Sequence, residues 1–213
     1  MPPPKGDGPS AGVERTRGDI RRIVFTYRSF FPLPFLAVMI LFARPTAGSL
    51  AAGLGAVLLG ESLRLWGVSF AGSETRTTGD VGGTYLITGG PFAYVRNPLY
   101  LGNMVIYAGV GWMSLALFPW LLIAAAAWFY LQYSLIVARE EEYLAVRFGG
   151  EYLRYASRVR RFLPRLTPYR ASGPPPRGAS LAEGLVSERR TLQALVLVTG
   201  ILVAVWLLGR GGA

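Results

Sequence analysis

Four apolar runs limit what this chain can fold into: Ser49 to Gly72 (SLAAGLGAVLLGESLRLWGVSFAG), Leu99 to Leu117, Trp120 to Ala138, and Thr191 to Leu208 (TLQALVLVTGILVAVWLL). Roughly 20 apolar residues at about 1.5 Å rise each cross the hydrocarbon core of a bilayer, so runs of this length predict membrane-spanning helices. A shorter run, Tyr27 to Ala43 (YRSFFPLPFLAVMILFA), holds Pro32 and Pro34 and reads as a tilted or partly interfacial first span. The competing reading, a signal-peptide core, has a long leader before it and no small-x-small cleavage site after it. Phe118-Pro119 separates the second and third long runs, and Pro is tolerated at a helix start because its missing N–H has no partner there anyway. That pair of runs reads as a tight helical hairpin. The expected fold class is all-α, a polytopic membrane helix bundle of about five transmembrane helices.

Composition agrees. Of the 213 residues, 52% are hydrophobic and 16% charged, with a net charge of +10, whereas an ordinary soluble domain is roughly a quarter charged. Apolar bulk with a basic fringe is what lipid-facing surface and Arg-rich cytoplasmic loops produce together. The Arg residues are spread over loops with no recognition motif, so no nucleic-acid partner is expected. Cysteine and histidine are both absent. Disulfides, thiolate nucleophiles, Ser-His-Asp triads and His-metal hydrolases are thereby excluded, and no metal site is expected. The chemistry left uses carboxylates, Arg, Tyr, amides, backbone or a cofactor.

Four regions follow from the composition along the chain. Residues 1–20 are rich in Pro, Gly and charge and read as a disordered basic tail. Residues 21–165 form a membrane core, 166–190 a Pro-rich linker containing SGPPPRGAS, and 191–213 an additional C-terminal transmembrane helix preceded by the anchors Arg189 and Arg190. Lys and Arg concentrate before the first run and between 139 and 190, so the positive-inside rule puts the amino terminus in the cytoplasm and the carboxyl terminus outside. Segments 73–98 and 139–165 then share the cytoplasmic side of a membrane of the bacterial inner (plasma) type. In the second of these, Leu144, Phe148, Tyr152, Tyr155 and Val159 recur at helical spacing, with Arg147, Glu151, Arg154 and Arg158 mostly opposite. An amphipathic, basic, aromatic helix of this kind belongs in the membrane interface, with a bend at Gly149-Gly150.

Two motifs flank the hairpin. GPFAYVRNPLYLGN (90–103) precedes it and REEE (139–142) follows it, so an antiparallel pair of helices returns the second motif to the level of the first. Arg96 offers a fork of donors suited to a carboxylate. Glu140 and Glu141 offer acceptors for an ammonium or hydroxyl, and Tyr94 and Tyr100 offer faces for a cation or an aromatic ring. Glu61 and Arg64 lie three apart on one helical face inside an apolar run, where ionisable groups are costly unless paired or facing a wet cavity. They read either as a structural ion pair or as part of a polar site.

LITGGPFAYVRNPLYLGN, a hairpin, and then EEEYLAVRFGGEYLRYASRVRRFLP resemble the integral-membrane methyltransferases that include isoprenylcysteine carboxyl methyltransferases and phospholipid N-methyltransferases. The resemblance covers roughly 49–165. It implies S-adenosylmethionine as cofactor, a cytoplasmic cofactor pocket, an interfacial amphipathic helix, and methyl transfer to a lipidic or membrane-embedded acceptor, a phospholipid amine or a prenyl-type carboxylate. On matching positions it implies a first pocket wall of Gly90, Arg96, Asn97, Pro98, Tyr100 and Gly102, with Tyr94 beside it. Glu140 and Glu141, packed by Leu144 and Phe148, form the second wall. Glu140, Glu141 and Arg96 are the catalytic candidates. Tyr152, Tyr155, Arg158 and Arg161 would close the site or touch the acceptor, together with Glu61 and Arg64; interfacial anchoring is the plainer role for the first four. Asn97 stands where many carboxyl-methylating members have His, and Asn cannot carry a proton. The chain also departs from the related membrane sterol reductases at EEEYLAVRFG. Outside enzymology, a non-catalytic membrane scaffold retaining the methyltransferase fold is the alternative; a transporter lacks a visible inverted repeat.

Overall fold

The computed structural model describes residue 27 and residues 30–72, 85–171 and 178–211. The expected tail at 1–20 and the centre of the Pro-rich linker lie outside the described residues. Within them the chain is all-helical: α1 (Pro32–Leu41), α2 (Ala47–Ala71), a 3₁₀ turn (Gly90–Ala93), α3 (Pro98–Ser114), α4 (Trp120–Phe148), α5 (Gly150–Arg158) and α6 (Leu181–Gly211).

Three of these helices, α2, α4 and α6, are long and apolar enough to cross a membrane. Of the about five spans expected, three reach that length and hydropathy among the described residues. Helix α1 has 10 residues and α3 has 17, about 15 and 26 Å at the α-helical rise, against a hydrocarbon core of roughly 30 Å. Pro32 and Pro34 fall in the first turn of α1, so the helix cannot start where the apolar run starts.

Helix α2 opens on a reciprocal capping box. The Ser49 N–H donates to Thr46 Oγ1 at 3.1 Å and the Thr46 N–H donates to Ser49 Oγ at 2.9 Å, satisfying two groups that a helix start would otherwise leave bare. Its partner is α3, and the contact is backbone on backbone. A Cβ at Gly53 would lie 2.5 Å from the Gly109 carbonyl oxygen, and one at Gly60 would lie 2.7 Å from that of Gly102. Small residues permit this approach, and between membrane helices it is close packing rather than water exclusion that holds the pair.

The hairpin expected from Phe118-Pro119 is present, with Leu115 and Leu117 in the left-handed region (φ 49° and 46°) and Pro119 capping α4. Helix α4 is longer than the apolar run. It continues past Ala138 to Phe148, so Glu140 and Glu141 ride on the spanning helix itself. The bend falls where the sequence placed it, at Gly149, whose φ of +52° suits glycine. The aromatic stripe survives the bend: Tyr152, Tyr155 and Val159 are buried together, with Leu144 and Phe148 packed against them.

The last helix differs from expectation at its start. It begins at Leu181 rather than Thr191, so the expected linker end at 190 lies inside α6. Ser180 explains the start: its Oγ accepts from the Glu183 N–H at 3.3 Å, and its own N–H donates to the Ser69 carbonyl at 2.9 Å. Gly184 then lies against Ser69 and Leu65 of α2. The main core gathers Met39, Val57, Ile106, Met113, Phe129, Ile136 and Leu202 from five helices.

Candidate active site

The turn before α3 is shaped by what surrounds it. Gly90 has φ +55°, and a Cβ there would meet the Phe70 ring at 2.5 Å, so only glycine fits. Pro98 opens α3, where its missing donor costs nothing. The segment after α5 runs back over this turn. The Arg96 N–H donates to the Arg160 carbonyl at 2.9 Å and the Arg165 N–H donates to the Tyr94 carbonyl at 2.9 Å. Asn97 gives both its backbone N–H and its side-chain Nδ2 to the Arg161 carbonyl, each at 3.2 Å. The role of Asn97 here is to hold that strap. Tyr94 is tied by its carbonyl, while its ring lies 6.0 Å from that of Trp66.

The two expected walls meet. Arg96 Nη2 lies 3.0 Å from Glu141 Oε1, and Arg96 Nη1 donates to the Ala156 carbonyl at 3.2 Å. The Tyr100 hydroxyl donates to Glu140 Oε1 at 2.6 Å. Arg161 closes on the same carboxylate as Arg96, with Nε at 2.9 Å and Nη2 at 2.6 Å from Glu141 Oε2. Glu141 thus lies between two guanidinium groups, and its hydrogen bond holds Arg161 above the usual arginine range. Gly102 lies one turn into α3, where a Cβ would meet Arg64 Cγ at 2.6 Å.

Of the residues assigned to closing the site, the structure separates three roles. Tyr152 is buried within this cluster and its hydroxyl has no hydrogen-bond partner. Burial first, and then the negative charge of Glu141, pushes its pKa up to about 12. Tyr155 is a brace: its hydroxyl donates to the Phe92 carbonyl at 2.7 Å, and burial holds it protonated well above the tyrosine range. Arg158 is exposed at the end of α5, and no contact joins it to Arg96, Glu140 or Glu141.

Glu61 and Arg64 form part of a second polar cluster deeper in the bundle. Their expected pairing is loose, 3.6 Å between Arg64 Nε and Glu61 Oε2. Arg64 instead donates through Nη2 to Glu188 Oε2 at 2.6 Å and through Nη1 to Asn103 Oδ1 at 2.5 Å. Sequence reading missed both partners. Asn103 ends the very motif that was singled out, a polar residue inside an apolar run, and that signal was available. Glu188 reads locally as part of a charged flank, and nothing local marks a partner 124 positions away.

Two expectations follow from this geometry. Tyr100→Phe removes the charge-assisted bond to Glu140, worth about 1.5–3 kcal/mol, and should weaken ligand binding at this end of the bundle about tenfold or more in a calorimetric titration. The second concerns pH. A tyrosine whose folded pKa is raised keeps its stabilising contribution below the unfolded value near 10 and loses it as pH climbs toward its folded value of about 12. Thermal melts of Tyr152→Phe should therefore fall less steeply than wild type between pH 10 and 12.

The fold and site define a class: an α-helical membrane protein with an Arg–Glu–Arg cluster at one end of its bundle and a buried polar cluster below it. The phospholipid methyltransferase family model matches residues 49–151, the stretch from the start of α2 into α5. Over that stretch, just under half of its length, the chain is similar to this methyltransferase family. The chain is 34% identical over 117 residues to the cobalt-zinc-cadmium resistance protein CzcN of Cupriavidus metallidurans, covering 53% of this chain and 50% of that one. It is 31% identical over 126 residues to the nickel-cobalt-cadmium resistance protein NccN of Alcaligenes xylosoxydans xylosoxydans, covering 59% and 54%. The chain thus spans about half the length of these curated relatives. No solved structure matches it.

Proposed function

We propose that the protein transfers a methyl group from S-adenosylmethionine to a lipidic or membrane-embedded acceptor, with the cofactor held between the Arg96 turn and the α4–α5 bend. One observation carries the reading: Arg96 Nε and Tyr152 OH are buried in one cluster without hydrogen-bond partners, and Glu141 Oε1 beside them has only its ion pair with Arg96 Nη2 at 3.0 Å. Buried polar groups left unmatched are costly, and a ligand that matches them removes the cost. A guanidinium donor, a carboxylate acceptor and a phenol are complementary to an α-carboxylate and an α-ammonium, the amino-acid end of that cofactor.

When bound, the cofactor supplies an electrophilic methyl group on a positively charged sulfur. The chain's own residues do the rest. Arg96 and Tyr152 orient the carboxylate end, Glu141 takes the ammonium, and Tyr100 holds Glu140 fixed beside them. The strap from Val159 to Tyr169, bonded to the Arg96 turn, keeps water off this wall, and displacement chemistry depends on such orientation and on exclusion of water. We place the site on the cytoplasmic face of a bacterial-type inner membrane because Lys and Arg gather in the segments around it, with the acceptor entering from the bilayer.

Detergent-solubilised protein incubated with methyl-labelled cofactor and host lipid extract should pass label into lipid, and Glu141→Ala should not. A second reading, a non-catalytic scaffold retaining the fold, is favoured by the names of the relatives, which speak of metal resistance and not of methylation. Among the described residues no three acidic side chains gather to hold a metal ion. Wild-type protein that leaves the lipid unlabelled would favour the scaffold.

A further inference from the structure

The deeper cluster holds a charge that its neighbours leave unmatched. Glu61 is 6% exposed, and neither of its carboxylate oxygens accepts a hydrogen bond. Its nearest opposite charge, Arg64 Nε, stands off at 3.6 Å, also without a hydrogen bond. The guanidinium is committed elsewhere, to Glu188 of α6 and to Asn103 of α3. Two carboxylates share one guanidinium, and the one left outside the tight pair is Glu61. A carboxylate buried at spanning depth without a donor is expensive unless something cationic or protic occupies the space before it.

Position says what that something does. Tyr100, which bonds Glu140 in the cofactor wall, and Asn103, which bonds Arg64, lie three residues apart on α3, about 4.5 Å along the helix axis. Gly60, next to Glu61 on α2, packs against Gly102 and Ile106 of α3, so Glu61 sits about one turn deeper than the cofactor wall. Resting on the methyl-transfer reading, we propose that Glu61 is the proton acceptor for a protic nucleophile, an N–H or O–H group of the acceptor, and that Glu188 is a positioning residue acting through Arg64. In the step, the lone pair of the nucleophile forms the new bond to carbon and the carbon–sulfur bond breaks with its pair staying on sulfur. The proton of the nucleophile passes to a Glu61 oxygen and returns to water after product leaves. Helix α6, outside the matched family region, is then part of the site.

The test uses the full-length protein in detergent, with two acceptors and one binding probe. Phosphatidylethanolamine vesicles present a protic amine, a prenylated cysteine presents a carboxylate already free of its proton, and dodecylamine without cofactor reads the Glu61 site alone. Wild type should bind cofactor and dodecylamine and methylate the amine. Glu61→Gln should keep the cofactor Kd within about twofold, lose dodecylamine binding, and lose amine methylation by a hundredfold or more, the usual scale for a general base. Glu188→Gln should lower kcat on the amine about tenfold without changing the cofactor Kd, and Glu188→Asp should restore part of it. Amine methylation at the wild-type rate by Glu61→Gln, or label entering only the carboxylate acceptor in wild type, overturns the proposal. Should Glu61→Gln fail to fold, dodecylamine left unbound by wild type overturns it as well. Wild type that binds no cofactor at all overturns the methyl-transfer reading itself.

Discussion

Glu141→Ala should lower cofactor affinity at least a hundredfold and cost about 3 kcal/mol of stability, because it removes the anion between Arg96 and Arg161. The effect is unequal on the two sides. Arg96 is 13% exposed at its side chain and Arg161 is 46% exposed. Stranding a buried guanidinium costs on the order of 3–5 kcal/mol, whereas a surface pair is worth about 0–1, so nearly all the loss lies with Arg96. Binding loses the acceptor for the ammonium and the fixed orientation of Arg96 together, two charge-assisted contacts, and affinity should fall at least a hundredfold. Glu141→Gln keeps the shape without the charge and should recover part of the stability but little of the affinity. Calorimetric titration beside thermal melting separates the two losses. Arg161→Ala should spare stability, since its partner keeps Arg96.

Gly60→Ala should be among the most damaging single-methyl additions in the protein. The added Cβ would stand 2.7 Å from the Gly102 carbonyl oxygen and 2.9 Å from Ile106 Cγ1. The first neighbour is backbone and cannot swing aside, so α2 and α3 must separate. Overpacking of this kind costs about 1–3 kcal/mol. It should also disturb the site, since the same displacement pulls Arg64 from Asn103 and shifts the Gly102 turn. Gly55 on the same helix is the control, because nothing lies within 4 Å of a Cβ there. Gly55→Ala should melt at or above the wild-type temperature and Gly60→Ala well below it.

Local rules in the sequence reached the Arg96–Glu141 cluster but not the deeper one. The meeting of Arg96 with Glu141 and of Tyr100 with Glu140 follows from hairpin logic alone: two apolar runs of similar length joined by a short turn bring the segments that flank them to the same level. The bend at Gly149 and the Tyr152–Tyr155–Val159 stripe follow from glycine's conformational freedom and from helical spacing. Two features did not follow. The seven-residue spacing of Gly53 with Gly60 and Gly102 with Gly109 is visible in the sequence, but which helices it joins is a tertiary fact. The start of α6 at Leu181 is set by Ser180 bonding to Ser69 on α2, and composition there suggests a linker. The short first helix was legible, since Pro32 and Pro34 stand inside its apolar run. Glu61 and Arg64 were legible as residues of interest, and their true partners on α3 and α6 were not.

The central claim is that the Arg96–Glu141–Tyr152 cluster is a binding site for the amino-acid end of S-adenosylmethionine. The most direct measurement is an isothermal titration of wild-type protein, purified in mild detergent, with that cofactor, repeated with its demethylated product and with adenosine, which lacks the amino-acid end. Saturable binding of cofactor and product with similar affinity is expected, with adenosine weaker by at least a hundredfold and the difference lost in Glu141→Ala. Equal binding of all three ligands, or binding of none, would contradict the claim.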